Sequence, residues 1–259
     1  MIDYHMHTSF NDGANTLDEM IEACIEKGME ETGISDHFGI FPETNLGSFK
    51  IFIEVKQYFE AIEEAKEKYK DKIKVKGTLE LDTYPENVDE MADLINSFNP
   101  DYILGGIHEL NGIGYTKLAT LWSITDYDYE NYLETLIEIV KKNKIDLLAH
   151  YNDYKLFYRT NDESRFYDHY KELAKALRDT NTATEFNTSV LGGGFRVDPN
   201  LIFWKECAKL DIPVIICSDA HNKNDICGNF AISKEILLSA GVKTTCTFTN
   251  RKMEIKELA

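Results

Sequence analysis

Two short motifs carry side chains suited to gripping a metal ion. His5-Met6-His7 near the start and Asp219-Ala220-His221 near the end each set two donors two residues apart, and an extended strand directs such a pair to one face. Glu80, His108 and His150 add further donors, as do His37 beside Asp36 and Asp12 before Gly13. Imidazoles and carboxylates with no thiolate among them suit zinc, iron or manganese at a working centre rather than a Cys-rich structural zinc site. The set exceeds what one tetrahedral ion uses, so two or three divalent ions, with a carboxylate such as Glu80 bridging, are expected.

Taken singly, several of these residues have plainer readings. A lone His108 reads as a hydrogen-bonded core residue, and Asp12-Gly13 reads as a turn as readily as a ligand. Asp36 fits a partner that orients an imidazole. Glu185 fits a ligand, a backbone holder or a partner to a ligand, and His169, in mid-helix, reads as a surface residue. The five cysteines form no Cys-x-x-Cys pair, which argues for buried free thiols over disulfides or a thiolate knuckle.

The elements that must position these donors alternate. Strands are expected at Ile2–His7, Glu31–Ser35, Ile73–Leu81, Tyr102–Ile107, Asp146–Ala149, Ala183–Phe186 and Pro213–Cys217, with a further β-rich stretch at Lys243–Thr249 on the barrel's edge. Helices are expected at Leu17–Lys27, Phe49–Lys70, Asn87–Phe98, Asp126–Lys142, Ser164–Arg178, Pro199–Lys209 and Ser233–Ala240. Thr16 followed by Glu19 is a capping-box signature, and Gly28 is a fitting helix stop. Seven strand-helix units predict parallel strands joined by crossover helices, a barrel-like α/β fold. The donors then fall at strand ends: six of the seven histidines lie where the carboxyl ends of the strands form one rim, the place where such folds build active sites.

Composition bounds the rest. The chain has 259 residues, 43% hydrophobic and 28% charged, which suits one domain over 1–259. Its formal charge of −17 repels a phosphate backbone, so no long nucleic acid is expected as a partner. A small anionic substrate stays compatible, because divalent cations reverse the local field. With no run of roughly 18 apolar residues and no basic-then-apolar leader, a cytoplasmic protein without membrane contact is expected.

In chain order, His5-Met6-His7-Thr8 through Asp12-Gly13, Ser35-Asp36-His37, Gly77-Thr78-Leu79-Glu80, Ile107-His108, Ala149-His150 and Ser218-Asp219-Ala220-His221 resemble the motifs of the PHP (polymerase and histidinol phosphatase) superfamily. The resemblance spans nearly the whole chain. It implies a distorted (β/α)7 TIM-like barrel with a bi- or trinuclear metal centre, and it favours Asp12 and His37 as ligands. Chain length, Glu185-Phe186-Asn187-Thr188 and the terminal Ser-Asp-Ala-His look like the stand-alone histidinol-phosphate phosphatases of histidine biosynthesis. These hydrolyse L-histidinol phosphate to L-histidinol and phosphate with a metal-bridging hydroxide. The chain departs from the usual family pattern at Ser35, at Tyr151-Asn152 and in the run Gly192-Gly193-Gly194, positions nearer the substrate pocket than the metals.

On this resemblance His5, His7, Glu80 and Asp219 are expected to hold one ion. Glu80, His108 and His150 would hold a second, and Asp12, His37 and His221 a third. Coordination lowers the pKa of water from about 15.7 to near 7, so no protein nucleophile is needed. Glu80 and Asp219 are thereby counted as catalytic, with Asp36 or a metal-bound water as the acid for the leaving alkoxide. Arg159 and Arg196, on rim-side loops, are candidates to fork onto the phosphate. The competing readings are a PHP phosphoesterase acting on another small phosphate ester or nucleotide, and a metal-binding PHP domain without turnover.

Overall fold

The computed structural model describes residues 1–39, 52–110, 113–114, 124–156, 162–189 and 201–258. Its strands are β1 (Ile2–Asp3), β2 (Glu31–Ile34), β3 (His37–Phe38), β4 (Lys74–Gly77), β5 (Glu80–Asp82), β6 (Leu104–Gly106), β7 (Glu109–Leu110), β8 (Ile113–Gly114), β9 (Leu147–Leu148), β10 (Ala183–Asn187), β11 (Val214–Cys217), β12 (Thr244–Thr249) and β13 (Lys252–Glu257). The α-helices among the described residues are α1 (Leu17–Glu26), α2 (Phe52–Tyr69), α3 (Val88–Asn96), α4 (Asp126–Lys141), α5 (Tyr167–Thr180), α6 (Leu201–Lys209) and α7 (Phe230–Ala240).

All of the main strands run parallel, in two sheets ordered β1-β2-β4 and β11-β10-β9-β6-β5-β3. The two sheets are parts of one distorted barrel. The third expected strand is broken into β4 and β5, and the second, matched by β2, is followed beyond its expected end by β3, yet Thr78 N–H donates to Ile34 O (3.0 Å) and Glu80 N–H to Asp36 O (3.0 Å) across the breaks. At the seam, Met6 bridges Ala220 in parallel and His7 N–H donates to Ala220 O at 3.0 Å. Seven staves therefore follow one another round the ring, and the first meets the last. The expected first strand is shorter than its sequence suggested: its continuous run ends at Asp3, whose carboxylate accepts from the backbone of His5 and Ser218, and pairing resumes only at the single Met6 bridge.

Period-two alternation sorts each stave into two cores. Met6, Leu148, Val214 and Ile216 face the helices and pack with Met20, Ile21, Val55, Ile62 and Leu136. Tyr4, Leu104, Leu147, Ala149, Ala183, Ile215 and Cys217 face the barrel interior. The helices dock as their caps dictate: Thr16 and Glu19 form the full capping box of α1, and Gly28 at φ +72° lies just past its end. The first turn of the expected helix from Ser164 is instead a 3-10 turn, Glu163–Phe166, entered through the Asp162 cap.

The late β-rich stretch is larger than expected. β12 pairs antiparallel with β13 from Thr244↔Glu257 to Thr249↔Lys252, and a two-residue turn puts Asn250 and Arg251 at positive φ. This hairpin closes the barrel end away from the histidines. Phe248 stacks on Tyr102 (centroids 5.7 Å), Phe248 N–H donates to Tyr4 Oη, and Arg251 reaches Asp146 with Nε–Oδ2 at 2.7 Å and Nη2–Oδ1 at 3.0 Å. No helix among the described residues is long and apolar enough to cross a membrane.

Candidate metal centre

At the carboxyl ends of the staves six imidazoles gather, five of them around one carboxylate. Glu80 opens β5 fully buried, and its two oxygens face His5 Nε2 (3.1 Å), His37 Nδ1 (3.0 Å), His7 Nε2 (3.6 Å), His150 Nε2 (2.6 Å) and His108 Nε2 (3.4 Å). Asp219 Oδ1 completes one side, 3.0 Å from His7 Nε2 and 3.5 Å from His5 Nε2. Asp12 Oδ2 lies 3.6 Å from His37 Nε2 and 3.3 Å from His221 Nε2. Asp12, His37 and His221, the last two set by β3 and by the turn after β11, thus share a corner with His7.

Local backbone makes this convergence possible. Asp219 sits at φ +51°, a left-handed conformation that costs little for Asp among side-chain residues; Asp219, Ala220 and His221 pass through it to the seam. The Asp12-Gly13 segment is both turn and donor: the N–H groups of Asn11 and Gly13 donate to Thr8 O while the Asp12 carboxylate faces His37 and His221. Gly106 leaves room for the inner donors, since a Cβ there would stand 2.8 Å from His150 Cε1 and 3.3 Å from Glu80 Oε1.

Electrostatics keeps the acids ionised. Burial pushes the Glu80 carboxyl up, but His5, His108, His37 and His150 outweigh it and hold it well below the usual carboxylate range. Asp219 is lowered in the same way against its burial, chiefly by His5, His7 and His221. Burial, together with the nearby His37 and His221, pushes the His7 imidazole down to about 3, leaving it neutral and ready to donate a lone pair. His5 moves the other way: the carboxylates of Glu185, Glu80 and Asp219 overcome its burial.

The donors fit divalent cations. Buried polar atoms rarely stay without a hydrogen bond, yet His5 Nε2, His7 Nε2, His37 Nδ1 and Glu80 Oε2 do, all on one side of the cluster. Two ligands of a tetrahedral ion at about 2.0–2.2 Å stand roughly 3.3–3.5 Å apart. The separations of 3.1, 3.5, 3.6 and 3.0 Å linking His5, His7, Glu80 and Asp219 bracket that value.

The structure brings together His5, His7, Asp12, His37, Glu80, His108, His150, Asp219 and His221. Asp36 stands behind them, fully buried, with its oxygens accepting from Thr8 N–H (2.7 Å) and Thr8 Oγ–H (2.8 Å). Arg159, Arg196 and the run Gly192–Gly194 lie outside the described residues. His169 is apart on α5, 3.7 Å from Glu134 of α4. All five cysteines are free thiols, four of them buried.

Two carboxylates escaped the sequence reading. Asp82 bonds His108 Nδ1, and Asp153 Oδ2 lies 2.9 Å from His150 Nδ1. Both had a local signal: Asp82 follows Glu80 by two residues on one strand face, and Asp153 follows His150 by three, across the turn closed by Asp153 N–H to His150 O (3.2 Å) that leads into the 3-10 helix Asp153–Leu156.

Comparison with known proteins gives concordant matches. The PHP domain family matches residues 3–189. A probable histidinol-phosphatase of Deinococcus radiodurans is 22% identical, over 98% of this chain and 98% of its own. Another, of Clostridium acetobutylicum, is 27% identical over 89% of this chain and 90% of its own. The crystal structure of the histidinol phosphate phosphatase of Lactococcus lactis, complexed with zinc, L-histidinol and phosphate, superposes with a TM-score of 0.81, covering 98% of each chain at 20% identity.

Proposed function

The chain belongs to the PHP domain family, and from that premise we propose that it is a metal-dependent phosphomonoesterase hydrolysing L-histidinol phosphate to L-histidinol and phosphate. The observation that carries the reading is the group of His5, His7 and Asp219, close enough together to share one ion, with Glu80 3.1 Å from His5 and 3.6 Å from His7 and with His5 Nε2, His7 Nε2 and Glu80 Oε2 buried and left without a hydrogen bond. The substrate is supported by relatives that bear this activity in their names over nearly their full lengths.

We assign His5, His7, Glu80 and Asp219 to one ion, Glu80, His108 and His150 to a second, and Asp12, His37 and His221 to a third. When bound, zinc, iron or manganese ions supply an acidified water and neutralise the charge that builds on the phosphoryl oxygens. The residues do the rest. Glu80, with an oxygen for each neighbouring group of imidazoles, fixes the spacing of the first two positions. Asp36, buried and accepting from Thr8 N–H and Thr8 Oγ–H, holds the turn that carries His7 and Asp12, and we keep it beside a metal-bound water as a candidate acid for the leaving alkoxide. Hydrolysis forms a phosphorus–oxygen bond to water, breaks the ester bond, and delivers a proton to the leaving alkoxide. We keep Arg159 and Arg196 as candidates for the remaining phosphate charge, and the small phosphorylated substrate as the partner of this acidic chain.

Purified protein should be assayed with L-histidinol phosphate, nucleoside monophosphates and an aryl phosphate, with elemental analysis alongside. Release of phosphate from histidinol phosphate with the highest kcat/KM, lost on chelation and restored by metal, is the expected result. Preference for a nucleotide would move the substrate assignment, and no hydrolysis of any ester by the metal-loaded protein would overturn the enzyme reading.

A further inference from the structure

Three of the six imidazoles share an arrangement that the other three lack. His5, His108 and His150 each turn Nε2 toward Glu80, at 3.1, 3.4 and 2.6 Å. On the opposite ring nitrogen each meets a buried carboxylate outside the assigned ligand set: Glu185 at 2.9 Å for His5, Asp82 for His108, and Asp153 at 2.9 Å for His150. A carboxylate on Nδ1 holds the proton there, leaves the Nε2 lone pair free to bind a metal, and stops the ring from rotating. Among the described residues, no carboxylate other than Asp12, Glu80 and Asp219 comes within ion-pairing distance of His7, His37 or His221.

Glu185 does more than hold one ring. Its Oε1 accepts from His150 N–H (2.9 Å) and from Asn187 Nδ2 (3.2 Å), while Asn187 Nδ2 also donates to Asp219 Oδ2 at 3.0 Å. The Asn187 amide is fixed the right way round because its Oδ1 accepts from the Ser189 N–H and hydroxyl. Ala183, Glu185 and Asn187 alternate on the inward face of β10, so the one stave without an assigned ligand ties together the first, fifth and seventh. Three donors converge on Glu185, and only an acceptor-only carboxylate satisfies them all; the single oxygen of Gln could not. The outer corner is built differently. The side chains of Asp12 and His221 are 34% and 41% exposed, whereas those of His5 and Glu80 are fully buried.

Resting on the metal-centre reading above, we propose that Asp82, Asp153 and Glu185 are positioning residues that divide the site into two firmly held metal positions around Glu80 and one exchangeable position at Asp12, His37 and His221. The exchangeable ion is the one an incoming phosphate ester meets first.

The full chain would be loaded with Co2+, freed of excess metal and equilibrated with graded chelator. Bound cobalt would be read by elemental analysis and by its visible absorption spectrum. The wild type is expected to release one equivalent first and two at 10- to 100-fold higher chelator, the range by which such carboxylate partners change metal affinity. Asp12→Asn should abolish the early class alone. Glu185→Gln, Asp82→Asn and Asp153→Asn should each bring the late class forward by 10- to 100-fold and shift the cobalt bands, whereas a role confined to packing would lower the melting temperature without reordering the classes. Asp82 and Asp153 each pin one ring, so their variants carry the test if Glu185→Gln does not fold. Cobalt leaving the wild type as one class, or late-class release unchanged in folded variants of all three residues, overturns the proposal. A chain that takes up no cobalt overturns the metal-centre reading itself.

Discussion

Glu80 and His150 can touch because Gly106 has no side chain. A methyl group at 106 would meet His150 Cε1 at 2.8 Å and Glu80 Oε1 at 3.3 Å, and both are buried with nowhere to retreat. Gly106→Ala should therefore cut kcat on the order of 100-fold, the scale for a displacement of about 1 Å among reacting groups, with the far-ultraviolet circular dichroism unchanged; wild-type turnover would refute this. A second expectation concerns protons. Burial opposes charge on His37, but Glu80, Asp82 and Asp12 outweigh it and raise the imidazole to about 9. Below that pH a cation must displace a proton to bind there, so apparent affinity should climb with pH, by up to about tenfold per unit, and level off above about 9. Competition titrations from pH 6 to 9 check the sign. At this scale the metal donors were legible, because His5-Met6-His7 and Asp219-Ala220-His221 declare themselves by spacing. The carboxylates behind them were not, since Asp82 and Asp153 show their role only once the rings' second nitrogens are located.

Elements were legible in type and less so in extent. Apart from the expected starts at Phe49 and Pro199, which lie outside the described residues, the helices came close to their expected bounds, and α1 and α4 begin at full capping boxes on Thr16 and Thr125. The second and third staves hid their breaks: Ser35-Asp36 and Thr78-Leu79 keep the strand's composition while Tyr58 Oη, 3.0 and 2.7 Å from the carbonyls of Ile34 and Thr78, satisfies the backbone at the bend. The closing hairpin was half seen. Its second strand, Lys252–Glu257, is mostly charged and exposed, and nothing in that pattern asks to be buried. Phe248, by contrast, is buried against Tyr4 and Tyr102. Phe248→Ala should cost about 3–5 kcal/mol of stability, read by denaturant unfolding, and leave the metal content of the folded protein unaltered, because hairpin and donors occupy opposite ends of the barrel. A loss of metal without a loss of stability would refute that separation.

Over the whole molecule, the charge of −17 and a cation-binding mouth act in opposite senses on an approaching ester. Three divalent ions would bring the formal total only to −17 + 6 = −11, so repulsion still governs the distant approach. Screening lengths fall from about 30 Å at 10 mM salt to about 8 Å at 150 mM. Added salt should thus raise kcat/KM several-fold for a dianionic ester with no amine, and much less for an aminoalkyl phosphate whose ammonium offsets the repulsion. Equal salt dependence for the two would remove the global field as a selector.

The seam between Met6 and Ala220 has a consequence in time. Asp3 accepts from Ser218 N–H across 215 residues, and the first and last donor pairs face each other at that joint. A chain still emerging from the ribosome holds His5 and His7 long before it owns Asp219. Closing so long a loop is among the slower steps of folding, so the quartet of His5, His7, Glu80 and Asp219 forms only when the ring shuts. Metal capture by all four of its donors is then a signature of the closed ring, and a chain that has not yet reached Asp219 cannot acquire the whole site by accident.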